Sequence, residues 1–477
     1  MLKSKTPVPI HVVQSLSPDT VLIGEELMKE HRIPKARHIS LQFGIYKQTI
    51  KVLPEQKKQG LVMHSRLAQQ LSIPLMKQGL KLALHYQEKE AKLKLGPLLA
   101  VLINNDTMED PERPFGGISA FCHELSEACA TNGAFVYFFT PEALVKKGTL
   151  IPGWVNDGEW RKLNLPLPEV IYNRLPNRKV ENLPQVQTLI RETSRYYKIT
   201  IFNERFIDKH EVFELLAEHE AAKGYLPESE LLSSYEQLHR LLNKHHVLYI
   251  KPVQGSLGRG IYRLILQDNK SYILERAVTS SQRASKYTSL KRLYQALRPK
   301  LAKRKYQLQQ GLSVIKVSDR PVDFRALVQK NGSGEWTITS IVARTAGNEQ
   351  FVANLARGGT ISSVMNILPH TNLPPQVSYA SVFDSLKAAA LTIAIALDEQ
   401  VEEHFAEFGV DLAVDTQGKV WLIEVNSKPS KKDKTSLSKK IRPSVRMLIA
   451  YANFLTGFLE GRGSHEKAKA GRRRRKN

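Results

Sequence analysis

Two cysteines in 477 residues are too few for a disulfide framework or a cysteine metal cluster. Cys122 and Cys129 stand in a segment that reads as one helix. Their spacing is about 10.5 Å of helical rise, beyond the reach of a disulfide. Such usage fits a reducing compartment. No stretch reaches 18 consecutive apolar residues, and residues 1–13 (MLKSKTPVPIHVV) lack the apolar centre of a secretory signal. The expectation is a cytoplasmic chain with no transmembrane segment. Acidic residues are scarce: 46 Asp and Glu face 70 Lys and Arg, a net charge of +24. A field of that sign draws polyanions such as nucleotides, nucleic acid, acidic polymers or anionic membrane, without choosing among them; a charge that serves only solubility is the alternative. Internal repeats and nucleophile motifs are also lacking.

What is present is a globular composition, 42% hydrophobic and 24% charged, long enough for about three domains. Residues 1–95 hold short, partly alternating apolar runs split by turn residues, among them Val21-Leu22-Ile23, Leu61-Val62-Met63 and Leu80 to Leu84; they predict a small β-rich, barrel-like domain. Gly96-Pro97 then opens an α/β stretch over 96–205. Leu98 to Ile103 reads as a buried strand, followed by Phe115-Gly116-Gly117, a helix and the strand Phe135 to Phe139. That order is the unit of a doubly wound sheet. The glycine pair is either a phosphate loop or turn geometry. Residues 206–460 read as α+β, with a lid subdomain over about 206–308, and 461–477 as a basic disordered tail with the run Arg472 to Lys476.

Four motifs carry chemistry. In Asp411-Leu-Ala-Val-Asp415-Thr-Gln-Gly-Lys-Val-Trp-Leu-Ile-Glu424-Val-Asn426, two alternating strands flank a hairpin turn. A two-residue loop sets 411 opposite 424, and period two puts Glu424 and Asn426 on one face. Three oxygen donors then converge, a set that suits a hard cation such as Mg²⁺; a solvated hairpin is the alternative, disfavoured by the apolar residues between them. Second, an apolar strand ends in Lys251-Pro252, and the loop Gly255-Ser256-Leu257-Gly258-Arg259-Gly260 follows. Glycines let backbone N–H groups approach phosphate, and the lysine adds a point charge. The strand that follows excludes Walker and dinucleotide loops, which lead into a helix. Third, Asp323-Phe324-Arg325 points two charges one way. Fourth, Asn354-Leu-Ala-Arg357-Gly358-Gly359 offers an amide, a guanidinium and a flexible turn.

In that order, these motifs resemble the ATP-grasp superfamily. With Arg113 to Gly117, Tyr172-Asn173-Arg174, Phe202-Asn203 and Asp208-Lys209, the pattern resembles its YheC/YheD branch of endospore coat-associated proteins, over roughly Gly96 to Ile449. The resemblance implies an ATP-grasp fold, α/β and α+β, behind the doubly wound pre-ATP-grasp domain and the β-rich N-terminal domain. It implies ATP and Mg²⁺ (or Mn²⁺) as cofactors. Lys209 and Lys251 would touch the phosphates, and Gly255, Ser256, Gly258 and Gly260 would belong to the lid loop over them. Arg325 would stabilise the γ-phosphate, with Asn354 at the phosphate or metal; Asp411, Glu424 and Asn426 would hold the cation. Gln309-Gln310-Gly311 matches the adenine hinge, where an acidic residue for the ribose is common. The implied activity is an ATP-dependent ligase that activates a carboxylate as an acylphosphate for an amine or thiol, in the cytoplasm or on the forming spore coat. The alternative is a non-enzymatic nucleotide-binding coat or envelope component that binds anionic polymers. Residues 251–320 carry 16 Lys and Arg against 3 Asp and Glu, which suits an anionic second substrate or partner, or else a solvated face.

Overall fold

In the computed structural model, residues 6–35, 37–56, 59–107, 110–144, 150–254, 260–277, 282–347, 359–431 and 440–459 are described, and their strands form four sheets. Near the N-terminus, seven strands close into a barrel in the order Val8–Val13, Leu61–His64, Thr20–Gly24, Tyr46–Glu55, His38–Phe43, Lys92–Gly96 and Leu80–Gln87. Its inward residues, including Val21, Ile23, Leu41, Phe43, Ile50 and Leu82, are buried, as period-two alternation requires. The barrel interior is continuous with the core under one face of the next sheet, through residues such as Leu98, Ala100 and Tyr137.

That second sheet runs Trp160–Pro166, Leu150–Asn156, Phe135–Phe139, Leu98–Leu102, Val170–Asn173, Thr200–Phe202. Its last four strands are parallel and wholly or largely buried, the continuous apolar run of a sheet covered on both faces. The antiparallel hairpin of its first two strands has no counterpart in the sequence reading. Helix Ser119–Thr131 crosses one face with Phe121, Leu125 and Ala128 turned inward. Cys122 and Cys129 both lie buried and unbridged on it.

The third sheet is antiparallel throughout: Ser229–Leu231, Tyr306–Gln310, Val247–Pro252, Tyr262–Leu266, Tyr272–Ala277, Gln282–Tyr287. Helices Tyr235–His245 and Leu290–Leu301 cover one of its faces and share a leucine-rich core with Leu248, Ile250, Leu264 and Leu308. The fourth sheet, Thr360–Ser363, Trp336–Thr345, Arg320–Lys330, Glu407–Val414, Val420–Asn426, is two-faced by alternation along Arg320–Lys330 and Glu407–Val414. Val322, Phe324, Ala326 and Val328 join Phe408, Val410, Leu412 and Val414 in a core against helix Tyr379–Gln400. Asp323, Arg325, Glu407 and Asp411 point the other way. By length and composition that helix could cross a bilayer; here Val382, Leu386, Ala389, Ile393 and Leu397 are buried in the sheet's core. Helix Lys209–Ala217 packs into the same core through Val212, Phe213 and Leu216.

Candidate functional site

The site grows from the charged face of the fourth sheet. Strand Glu407–Val414 lies between Arg320–Lys330 and Val420–Asn426, and the registers put Arg325 opposite Asp411 and Asp411 opposite Glu424. This pairing arises differently from the expected two-residue turn. Val414 pairs with Val420, Ala413 with Trp421 and Leu412 with Leu422, one residue out of step, and an irregularity between Asp411 and Leu412 restores the register. The longer turn is closed by Asp415, whose carbonyl accepts from the Gly418 N–H at 2.9 Å and whose side chain accepts from the Gln417 and Lys419 N–H groups, each at 2.9 Å. Gly418 adopts φ +87°, a value that favours glycine. A bulge thus re-aims a side chain at the site.

Asp411 is 3% exposed and is held by two guanidiniums. Arg325 engages both carboxylate oxygens, Nη2 donating to Oδ2 at 2.7 Å, and Arg344 Nη2 lies 3.2 Å from Oδ1. Arg344 Nε also donates to Asp323 Oδ1 at 2.6 Å, its cross-strand neighbour. Burial pushes the Asp323 carboxyl up to about 7 against the pull of Arg344. Gly409 makes room for this arrangement, because a Cβ there would stand 3.0 Å from Pro429 Cβ and 3.3 Å from Arg325 Nη1. Arg344 and Gly409 were missed from sequence. The alternation of Trp336–Thr345 marks Arg344 as a face residue, but its partner strand is not evident without the fold.

On the hairpin's other strand, Asn426 Nδ2 donates to Glu424 Oε1 at 3.2 Å and Asp411 Oδ2 at 3.5 Å. The amide nitrogen therefore stands where a positive partner for both carboxylates belongs. Turning the amide over presents its oxygen to the same point, giving an all-oxygen set. Two carboxylates and an amide are few ligands, which suits Mg²⁺, an ion that keeps waters and takes phosphate oxygens. The residues fit such an ion, although among the described residues no cluster of three or more His, Cys, Asp or Glu side chains is arranged as a metal site.

Two lysines reach this face from elsewhere. Lys209, first residue of its helix, sits with Nζ 3.3 Å from Glu424 Oε2; its backbone N–H donates to Val253 O at 3.4 Å, tying the helix start to the end of the Lys251 strand. Lys251, 8% exposed, donates to Gln309 Oε1. Burial lowers the Lys251 ammonium to about 8, with Glu424 and Asp411 opposing and Lys209 adding to the shift. Desolvation works to raise the Glu424 carboxyl, but Lys209, Arg325, the Asn426 amide and Lys251 together hold it well below the usual carboxylate range.

Lys209, Lys251, Arg325, Asp411, Glu424 and Asn426 are thus brought together, with Gln309 bonded to Lys251. Gln310 is not: strand alternation turns it to the opposite face of the third sheet, where its side-chain carbonyl accepts from the Glu228 N–H at 3.2 Å. Gly260, at φ +76°, lies beside Tyr262 and Tyr306 at the end of that sheet. Gly255, Ser256, Gly258, Asn354 and Arg357, and the tail 461–477, lie outside the described residues.

The Tyr172-Asn173-Arg174 and Phe202-Asn203 motifs have a positioning role. Asn203 Nδ2 donates to the carbonyls of Glu407 at 3.1 Å and Ser427 at 2.5 Å, and its Oδ1 accepts from the Ala406 N–H at 3.0 Å. Arg174 donates to Pro429 O at 2.9 Å and lies 3.4 Å from Glu407 Oε1. Lys431 Nζ is 2.7 Å from Glu407 Oε2, and Tyr172 donates to the same carboxylate. Desolvation opposes ionisation of Glu407, yet Lys431 and Arg174 keep it below its ordinary value. The carboxyl ends of the second sheet thereby clamp the segment that leaves Asn426.

A family model described as YheC/D like ATP-grasp matches residues 198–455. The endospore coat-associated protein YheD of Bacillus subtilis is 30% identical over 338 residues, covering 71% of this chain and 73% of that protein. YheC of the same bacterium is 25% identical over 273 residues, 57% of this chain and 74% of its own. Among solved structures, D-alanine–D-alanine ligase from Bacillus anthracis complexed with ATP is similar over 74% of this chain and 96% of that one, at 13% identity and a TM-score of 0.44.

Proposed function

We propose, because the chain belongs to the YheC/D-like ATP-grasp family, that it binds Mg-ATP between its third and fourth sheets and uses it to activate a carboxylate. The observation that carries this reading is the meeting of Lys209 and Lys251, from a helix start and a separate sheet, with Arg325 above the Asp411–Glu424–Asn426 face. Cations on one side and paired oxygen donors on the other are what a metal-bound triphosphate needs. When bound, the metal neutralises phosphate charge and orients the γ-phosphoryl group. Lys209 and Lys251 hold the phosphate oxygens, and Arg325, released in part from Asp411, faces the charge that builds on the transferred group.

In this reading a substrate carboxylate oxygen bonds to the γ-phosphorus while the bond to the β–γ bridging oxygen breaks and ADP leaves. An amine or thiol then attacks the acyl carbon of the acylphosphate, inorganic phosphate departs and the nucleophile's proton passes to solvent. Positioning and charge neutralisation suffice, so no side-chain nucleophile is needed. The excess of Lys and Arg over 251–320 favours an anionic co-substrate or polymer, and the names of the relatives favour work at the endospore coat. The test is ADP release from ATP in Mg²⁺, with and without pooled amino acids and peptides. Acceptor-stimulated turnover supports the ligase; tight ATP binding with no turnover under any acceptor supports the non-enzymatic coat component instead.

A further inference from the structure

A second positively charged place lies on the third sheet, away from the lysines just described. Tyr262 is opposite Ile250, Arg276 opposite Tyr262 and Tyr306 opposite Pro252. Alternation therefore puts these three on the face that carries the leucine core and the two helices, whereas Lys251 and Gln309 point to the other face. At the sheet's end, Tyr262 and Tyr306, 3% and 4% exposed, floor a cavity of about 160 Å³. Their ring centroids are 6.4 Å apart. Arg276, Lys300, Lys303 and Arg304 form the exposed rim. Lys300 Nζ stands 5.0 Å from the Tyr262 ring centroid, and burial raises the Tyr306 hydroxyl above its ordinary value against the opposing pull of Arg304 and Arg276. Among the described residues none of the four has a carboxylate partner, whereas neighbouring Arg263 is paired with Glu275.

Four like charges around one small volume repel one another, a cost that an anion removes. The size of the place selects the anion. The volume of about 160 Å³ is a few waters' worth. Same-face carboxylates of an extended acidic peptide are roughly 6.6 Å apart, so one would enter and face four cations alone. A phosphoryl group brings about two charges and three acceptor oxygens to a single point. We propose that this cavity is an anion site for condensed phosphate, separate from the nucleotide and on the opposite face of its sheet. The proposal goes beyond the ligase reading and does not depend on it.

Calorimetric titration of the full chain with inorganic pyrophosphate, with and without saturating Mg-ATP, tests it. A pyrophosphate site that persists in saturating nucleotide is expected. The double variant Lys300→Gln/Arg304→Gln is expected to weaken it roughly tenfold or more, and Lys291→Gln/Arg292→Gln, an equal loss of charge at the start of the helix that carries Lys300, by less than about twofold. Equal weakening by both pairs would mean a diffuse field and overturn the proposal. So would the disappearance of pyrophosphate binding when nucleotide fills its site, or tighter binding of a glutamate peptide of equal charge. Tripolyphosphate is expected to bind at least as tightly as pyrophosphate; tighter binding of a phosphodiester oligomer, run in parallel, would overturn the assignment to condensed phosphate. Loss of ATP binding in the wild type would sink the ligase reading while leaving the comparison of the two charge pairs intact.

Discussion

Glu407 and Asp411 sit on the same face of one strand, roughly 13 Å apart along it, and both are buried. They differ in how their surroundings close. Glu407 is sealed by Lys431, Arg174, Tyr172 and Gln329, drawn from the second sheet, the segment after Asn426 and an adjacent strand. All its partners are supplied by the chain, and its work is to lock two layers together. Asp411 has Arg325 and Arg344 on one side, but its other side opens onto half-buried Glu424, Asn426 and Lys209. The Asn426 contacts there are long, 3.2 and 3.5 Å. A network that is finished holds the fold; one whose oxygens converge on a weakly held amide is set to exchange that partner for a ligand.

The sharpest break of this contrast is Glu407→Gln. It leaves Arg174 and Lys431 buried without their carboxylate, and the expected loss is about 3–5 kcal/mol of unfolding free energy, read by urea denaturation. ATP affinity of the folded fraction should hold. A loss below about 1 kcal/mol would mean that the Glu407 network is not the clamp described here.

Lys251→Ala should do the reverse: it should weaken ATP binding by about 1.5–3 kcal/mol, the worth of a charge-assisted phosphate contact, with the thermal midpoint little changed. Equal affinity in the variant would reduce the Lys-Pro loop to an ordinary hairpin.

A smaller effect follows from protonation. Burial sets the free Lys251 ammonium at about 8, and a phosphate contact needs the charged form. ATP affinity should therefore be full below pH 8 and fall above it, by at most about tenfold per pH unit. Lys251→Arg, charged throughout this range, should flatten the profile. A profile flat in the wild type as well would separate the lysine from the phosphates.

The two regions were unequally legible in the sequence. The apolar runs that became barrel and sheet strands, such as Val21 to Ile23, Leu98 to Leu102 and Phe135 to Phe139, announce themselves by alternation or continuity, and Asp323, Arg325, Glu424 and Asn426 announce their faces by period two. The bulge beside Leu412 was not readable, because a turn of Thr, Gln, Gly and Lys accommodates more than one loop length. It alters the route to the 411–424 pairing without altering the pair. Arg344, Gly409 and Glu407 stayed hidden for a different reason: each acquires meaning from a strand or sheet distant in sequence. The lid charge was legible only as a total. The register divides it, turning Arg276 to the helix-covered face and Lys251 to the other, a distinction that composition does not carry.

The central claim is that the open side of the Asp411 network is a cation-dependent nucleotide site. Calorimetry of ATP binding with and without Mg²⁺, on the wild type and on Glu424→Gln, addresses it directly. The account predicts that Mg²⁺ tightens ATP binding to the wild type and that the substitution removes most of that gain, a loss of a few kcal/mol, on the order of 2–4, for one charged ligand. An undiminished Mg²⁺ effect in Glu424→Gln would contradict it and place the metal elsewhere.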